Sequence, residues 1–143
     1  MSARFQPLEI SFETLQFQRL PSPRPNHSFE LDQRLNLGHV VQDNILVVRL
    51  GMDLGQDGLP FTLSVAVVGR FQFQELPVGA ELEKIANINC AGILFPFVRE
   101  AVADLTRKGG LNPVLLPPVN FVELFRQNQS DQSGQDSSAN SNP

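Results

Sequence analysis

The residues of this sequence with the greatest potential for chemistry are two histidines, His27 and His39, one cysteine, Cys90, and two glutamates near the amino end, Glu9 and Glu13. Histidine serves as a general base, a thiolate as a nucleophile, and two close carboxylates as an acid and base pair. Each role needs a second group held nearby in a cleft. The spacing along the chain therefore decides whether such a site is predicted.

None of these residues has a suitable partner in the local sequence. Glu9 and Glu13 share strand parity and, four residues apart, lie about 13 Å from each other, too far for direct cooperation. Cys90 lacks a basic neighbour, His27 lies in a proline-rich loop, and His39 lies next to Gly38. No G-x-S-x-G, H-E-x-x-H or phosphate-binding glycine loop is found. The sequence predicts a protein that is not an enzyme and has no catalytic residue, metal site or cofactor.

Composition narrows the class of protein further. The chain has 143 residues and a formal net charge of −4, so it has no excess of positive charge for binding nucleic acid. It has no run of about 18 apolar residues and no secretory leader, which predicts a cytoplasmic protein without stable membrane insertion. Its 11 Phe, with no Trp or Tyr, make every large ring apolar. Such rings fill cores or apolar grooves.

Strands are predicted in the first half of the chain. Apolar and polar residues alternate over 8–13, 29–37, 46–54 and 61–73, and turn residues at 53–58 predict a hairpin between the last two strands. The apolar parity changes after Phe12, which predicts a bulge or strand end with a bend near Thr14. Pro21, Pro23 and Pro25 predict an extended loop.

Helices are predicted in the second half. Apolar residues spaced for one helical face run from Leu94 to Leu105, with Pro96 in the first turn and Gly109-Gly110 as the stop. A shorter helix is predicted around 80–88, and another begins at Asn120, whose side chain would cap it. From residue 126 onward the sequence is polar. We therefore predict a folded domain over 1–125 and a disordered tail over 126–143.

Two blocks of the second half resemble the SecB protein-export chaperones. Residues 90–100 read CAGILFPFVRE, and residues 116–125, after Gly109, read LPPVNFVELF. That family has an Ile-Leu-Phe-Pro-aromatic-x-Arg-Glu helix, a glycine turn, a Pro-Val-Asn-Phe segment and a Leu-Phe at matching spacing. Residues 10–13 are similar to its first-strand motif, 43–50 to its third strand and 61–73 to its fourth.

The resemblance implies an α+β fold in which a four-stranded antiparallel sheet carries helices on one face, with one long main helix. It implies a homotetramer, a dimer of dimers, assembled through that helix. It also implies an ATP-independent holdase that binds unfolded precursor proteins and delivers them to the SecA motor for export. Apolar side chains beside extended backbone would bind such clients by buried area, with little sequence preference.

Residue roles follow from the same resemblance. Glu9 and Glu13 match acidic strand positions that dock the zinc-bearing carboxyl end of SecA, whereas Thr62 and Ser64 stand where the family has an apolar residue and a glutamate, which weakens this docking surface. The predicted client-binding residues match apolar positions around the family's groove, although each is equally explicable as core: Phe61, Leu63, Phe97, Val98 and Phe121. A second apolar flank on the main helix predicts contact with another subunit through Ile93, Val98 and Val102, and internal packing explains that flank equally well.

Other interpretations stay open at this point. The stretch 14–28 departs from the family pattern, because it looks partly strand-like and has no Trp, where the family has a proline-bearing loop with an aromatic, often Trp, that walls the client groove. A SecB-like chaperone dedicated to one aggregation-prone partner, such as an antitoxin, has the same fold as an export chaperone. A non-catalytic adaptor domain that binds folded partners through the exposed strand face is the third alternative.

Overall fold

The computed structural model describes residues 4–21 and 31–129. Its strands β1 (Phe5–Arg19), β2 (Arg34–Gln42), β3 (Ile45–Leu54) and β4 (Phe61–Phe73) form one antiparallel sheet in the order β1-β4-β3-β2. The predicted four-stranded sheet and the β3–β4 hairpin are confirmed. β2 begins later than predicted and continues to Gln42. Phe29, Pro23 and Pro25 lie outside the described residues.

The edge strand β1 carries two irregularities. Its register against β4 shifts between Pro7 and Glu9 and again between Phe12 and Thr14. The second shift is the bulge predicted from the change in apolar parity. Because each extra residue exchanges the two faces of a strand, the bulges return Ile10, Phe12 and later Leu15 to the side of the sheet that faces the helices.

The core lies between one face of the sheet and the helices. Alternate residues of the two central strands are buried there, as the period-two pattern predicts: Leu46, Val48, Leu50, Met52 and Leu54 on β3, and Phe61, Leu63, Val65, Val67, Phe71 and Phe73 on β4. The opposite side of the sheet, turned away from the helices, is called the outer face below. Most side chains on this face are polar or partly exposed, and Ala66 of β4 is a buried apolar exception.

One continuous helical segment crosses the inner side of the sheet. It consists of α1 (Gly79–Lys84), wider π-helical turns (Ile85–Cys90) and α2 (Ala91–Lys108), so the predicted short helix is joined to the main one. Pro96 lies inside α2, and its predicted place in the first turn is wrong. The helix accommodates it because Pro96 and Gly92, whose carbonyl loses its usual partner, are both exposed to water.

The carboxyl end of α2 is fixed against β1. Gly110 adopts a φ of 84°, the left-handed stop that the sequence predicts. The Phe17 ring packs so closely on Gly109 that a Cβ there would overlap it. The Arg19 guanidinium donates a hydrogen bond to the Gly109 carbonyl at 3.1 Å. The end of α2 and the end of β1 are therefore joined by packing and by a hydrogen bond.

A third helix, α3, occupies residues 121–129. The Glu123 amide donates to the Asn120 side chain at 3.1 Å, which confirms the predicted cap. α3 continues past residue 126, where the sequence predicts the tail to begin, and 130–143 lie outside the described residues. Phe121 packs edge-on against Phe95 of α2 with ring centroids 5.8 Å apart.

The segment Gly79–Lys108 is long and apolar enough to cross a bilayer, judged by length and composition alone. Half of its most apolar window is buried inside the fold. Since the core helix of a globular domain passes the same test, this feature is explained by the packing of α2 on the sheet.

Candidate functional site

Charged side chains of both signs lie on the outer face, and each of the four strands contributes at least one of them. Cross-strand register sets them on this one side of the sheet: Glu9 and Glu13 on β1, Arg70 on β4, Arg49 and Asp53 on β3, and Arg34 on β2. Acids and arginines balance in number. The face is therefore a surface of matched charges rather than an acidic patch.

Glu9 is paired within the sheet. Its register partner on β4 is Arg70, and a guanidinium nitrogen of Arg70 lies 3.9 Å from a Glu9 carboxylate oxygen. Both side chains are about half exposed. The predicted outward orientation of Glu9 is confirmed, but its charge is partly met by an arginine of its own chain.

Glu13 is paired with an arginine from a more distant strand. It occupies the bulge between Phe12 and Thr14, and its carboxylate lies 3.3 Å from Nε of Arg49 on β3. Arg49 also donates to the Asn36 side chain on β2 at 2.7 Å. Glu13 thus belongs to a hydrogen-bonded row that crosses the whole sheet.

The two positions at which the resemblance predicts further docking residues, Thr62 and Ser64, lie at one end of the outer face. Thr62 is exposed, and the Ser64 hydroxyl donates to the carboxylate of Asp53 on β3 at 2.5 Å. These residues line a groove of about 640 Å³ together with Gln16 and Gln18 of β1. Asp53, where the predicted strand 46–54 and the predicted turn 53–58 overlap, is a strand residue on the outer face.

Four of the predicted client-binding residues are core residues in this conformation of the protomer. Phe61, Leu63, Val98 and Phe121 are buried, whereas Phe97 is 41% exposed. Of the five, Phe97 is the side chain that a client can reach directly. The role of the set stays a prediction.

Exposed apolar residues not singled out by the sequence accompany Phe97. Phe12 and Leu15 of β1, which are 37% and 52% exposed, lie on the helix side of the sheet. Phe97 follows Phe95 by two residues and so lies on the opposite flank of α2, away from α3. We call these three residues the apolar shelf. The parity change in β1 was the signal that could have located its strand members.

The three residues predicted to form the oligomer interface differ in how deeply they are buried. Ile93 is partly exposed on the same flank of α2 as Phe97. Val98 and Val102 are fully buried, so their side chains have no surface left for a second copy. Ile93 is the member of the predicted set that can touch a partner subunit, and the interface stays a prediction.

The candidate chemical residues are separate in the structure. Cys90 is fully buried, and burial raises the pKa of its thiol from 9.0 to about 12, so it stays protonated at neutral pH. His39 lies on edge strand β2 opposite Val48, and His27 is outside the described residues. Within residues 4–21 and 31–129, no three His, Cys, Asp or Glu side chains gather as a metal site.

The sequence matches the family model described as preprotein translocase subunit SecB over residues 8–132. The protein-export protein SecB of Azoarcus sp. strain BH72 is 42% identical over 64% of this chain. That of Aromatoleum aromaticum is 33% identical over 85% of this chain. The matched part of the chain spans 60% of the length of the first relative and 77% of the second.

A solved structure has the same architecture. A SecB-like chaperone from Mycobacterium tuberculosis, in complex with a peptide from an antitoxin, matches with a TM-score of 0.72 and 22% identity. The match covers 81% of this chain and 91% of that one. This likeness confirms the predicted α+β fold, with its antiparallel sheet and long helix.

Proposed function

Because this chain belongs to the SecB family, we propose that it is an ATP-independent holdase that binds unfolded precursor proteins and passes them to SecA for export. It would act in the cytoplasm, as a dimer of dimers joined through α2. The observation that supports this most is the apolar shelf, because Phe12, Leu15 and Phe97 remain accessible on one side of the protomer.

The apolar shelf can bind extended, unfolded chains by covering their apolar side chains. Apolar area removed from water contributes about 25 cal/mol per Å² whatever the client sequence, so binding is broad in specificity. β1, which carries Phe12 and Leu15 of the shelf, is an edge strand of the sheet that the described residues form, so its outward backbone groups can pair with an extended chain. Several such surfaces in one oligomer raise the overall affinity for a long client. No covalent step and no cofactor is needed.

Glu9 and Glu13 are the proposed docking residues for SecA, on the face opposite the shelf. This separation lets the protein hold a client on one side and the motor on the other. Their pairing with Arg70 and Arg49 lowers the net charge offered to a partner.

The same pairing favours a second candidate function, a chaperone dedicated to one aggregation-prone partner, which needs no docking to SecA. The two functions share the shelf and differ in the outer face. Titration of SecA with the purified protein separates them, because only the export chaperone binds the motor.

The holdase step is tested by diluting a chemically denatured protein into buffer and following its light scattering. We expect substoichiometric oligomer to suppress aggregation without ATP, and replacement of Phe97 by Ser to weaken the suppression. Replacement of exposed Val78 by Ser is the matched control, since Val78 lies outside the shelf. No suppression at several-fold excess would overturn the proposal.

A further inference from the structure

We propose that Asp53 is the main anionic anchor on the outer face for a cationic segment of a docking partner; this rests on the docking step proposed above. Lysine and arginine side chains bind a carboxylate strongly, through charge-assisted hydrogen bonds. Three carboxylates of the outer face could bind such a side chain, those of Glu9, Glu13 and Asp53. They differ in whether an arginine of the same chain already pairs with them.

Asp53 differs from Glu9 and Glu13 in its neighbours. Glu9 pairs with Arg70 and Glu13 with Arg49. Among the described residues Asp53 makes no ion pair, and it accepts a hydrogen bond from the Ser64 hydroxyl. A cation arriving at Asp53 therefore displaces no arginine, whereas at Glu9 or Glu13 it must compete with one.

The nearest arginine on the neighbouring strand is engaged elsewhere. Arg34 is the register partner of Asp53 on β2, but its guanidinium pairs with Asp32 at 3.6 Å. Asp32 adds a further negative charge close to this end of the sheet. Arg34 also lines the groove around Asp53, but its guanidinium is already paired with Asp32 rather than with Asp53.

The surroundings of Asp53 provide space and hydrogen-bond acceptors. The groove of about 640 Å³ is lined by Gln16 and Gln18 of β1, Thr62 and Ser64 of β4, and Arg34 of β2 beside Asp53. This volume lies in the usual range for a binding pocket. Amide and hydroxyl oxygens can accept the remaining donors of a lysine or arginine whose charge meets Asp53.

Asp53 on β3 forms a cross-strand pair with a residue of β4. Asp53 lies directly opposite Ser64 on β4. Side chains directly opposite in a sheet have Cβ atoms about 5 Å apart. The Asp53 carboxylate therefore stands close to β4, with the Ser64 hydroxyl turned towards it.

The test measures binding of the zinc-loaded carboxyl-terminal segment of SecA by calorimetry at low and high salt, using the full chain and its Asp53→Asn variant. This variant keeps the shape and removes the charge. Asp43→Asn is the control, because Asp43 is exposed in the β2–β3 turn about 30 Å away along the sheet. Asparagine tolerates the φ of 56° at that position.

We expect Asp53→Asn to weaken binding about fivefold or more at low salt, with a smaller difference at high salt, and Asp43→Asn to leave it unchanged. Equal losses in both variants would overturn the proposal, because net charge alone would then explain them. Wild-type affinity in Asp53→Asn, or no binding by any form, would overturn it as well. Suppression of client aggregation, measured on the same samples, reports separately on the holdase function.

Discussion

The carboxylate of Glu13 lies 3.3 Å from the guanidinium of Arg49, although their strands β1 and β3 are separated by β4. The bulge at Glu13 makes this contact possible, because an ordinary strand residue pairs with its direct neighbours. An exposed pair of this kind contributes at most about 1 kcal/mol to stability. The pair matters more for the binding of SecA, because Arg49 partly neutralises Glu13, one of the two carboxylates proposed to dock SecA.

Removing the two arginines is expected to strengthen docking. The double variant Arg49→Gln, Arg70→Gln frees Glu13 and Glu9, so its affinity for SecA should rise severalfold at low salt. The opposite change, Glu9→Lys with Glu13→Lys, should weaken SecA binding and leave client protection intact. Glu75→Lys, an exposed site beyond the end of β4, is the control for net charge. Unchanged affinity in both double variants would remove these residues from the docking surface.

Ile93→Asp is expected to break the proposed contact between copies of α2. Ile93 is partly exposed, so a carboxylate there is solvated in the protomer and desolvated only on assembly. Light scattering at low concentration should report a smaller species with an unchanged thermal midpoint. Val102→Asp, in contrast, places the charge at a fully buried position and should lower the midpoint. A tetramer that persists in Ile93→Asp would place the interface elsewhere.

Gly109→Ala is expected to lower the free energy of unfolding by about 1–3 kcal/mol, because its Cβ would overlap the Phe17 ring. Denaturant titration by circular dichroism measures the change. The control is Gly92→Ala in α2, where a Cβ would meet no atom within 4 Å. That helix substitution should raise stability by about 0.5–1 kcal/mol. Equal effects of the two substitutions would contradict the close packing of α2 on β1.

Cys90 makes stability depend on pH in the alkaline range. Burial raises the pKa of the native thiol from 9.0 to about 12, so the unfolded chain ionises first as the pH rises. The native state should therefore keep its stability below pH 9 and lose it progressively above that value. Comparison with Cys90→Ala isolates this contribution, because the variant should show a flatter profile above pH 9. Identical profiles would mean that the native thiol ionises normally.

The sequence pattern predicted which segments form strands and helices better than it predicted how these segments are joined. Alternation along β3 and β4 identified the buried residues, since one face of each strand meets the helices. The break after Phe12 identified the second bulge of β1. The joining of α1 to α2 could not be predicted, because the apolar spacing is interrupted at the π-helical turns and Pro96 suggests a helix start.

The candidate site was predicted only in part. Parity placed Glu9 and Glu13 on an outward face, but their arginine partners depend on the strand order β1-β4-β3, which alternation within a strand does not determine. The burial of Phe61 and Phe121 likewise depends on how the helices cover the sheet. Asp53 was not predicted as a site residue because turn residues follow it in the sequence, although it continues the alternation of polar residues along β3.

The claim on which the account depends is that accessible apolar surface binds unfolded chains and not folded ones. Calorimetric titration of one slow-folding protein, used first in its unfolded and then in its native form, tests this without ATP. We predict binding of the unfolded form with a negative heat-capacity change, the mark of apolar burial, and no binding of the native form. Equal binding of both forms, or binding of the native form alone, would contradict the account and favour an adaptor domain.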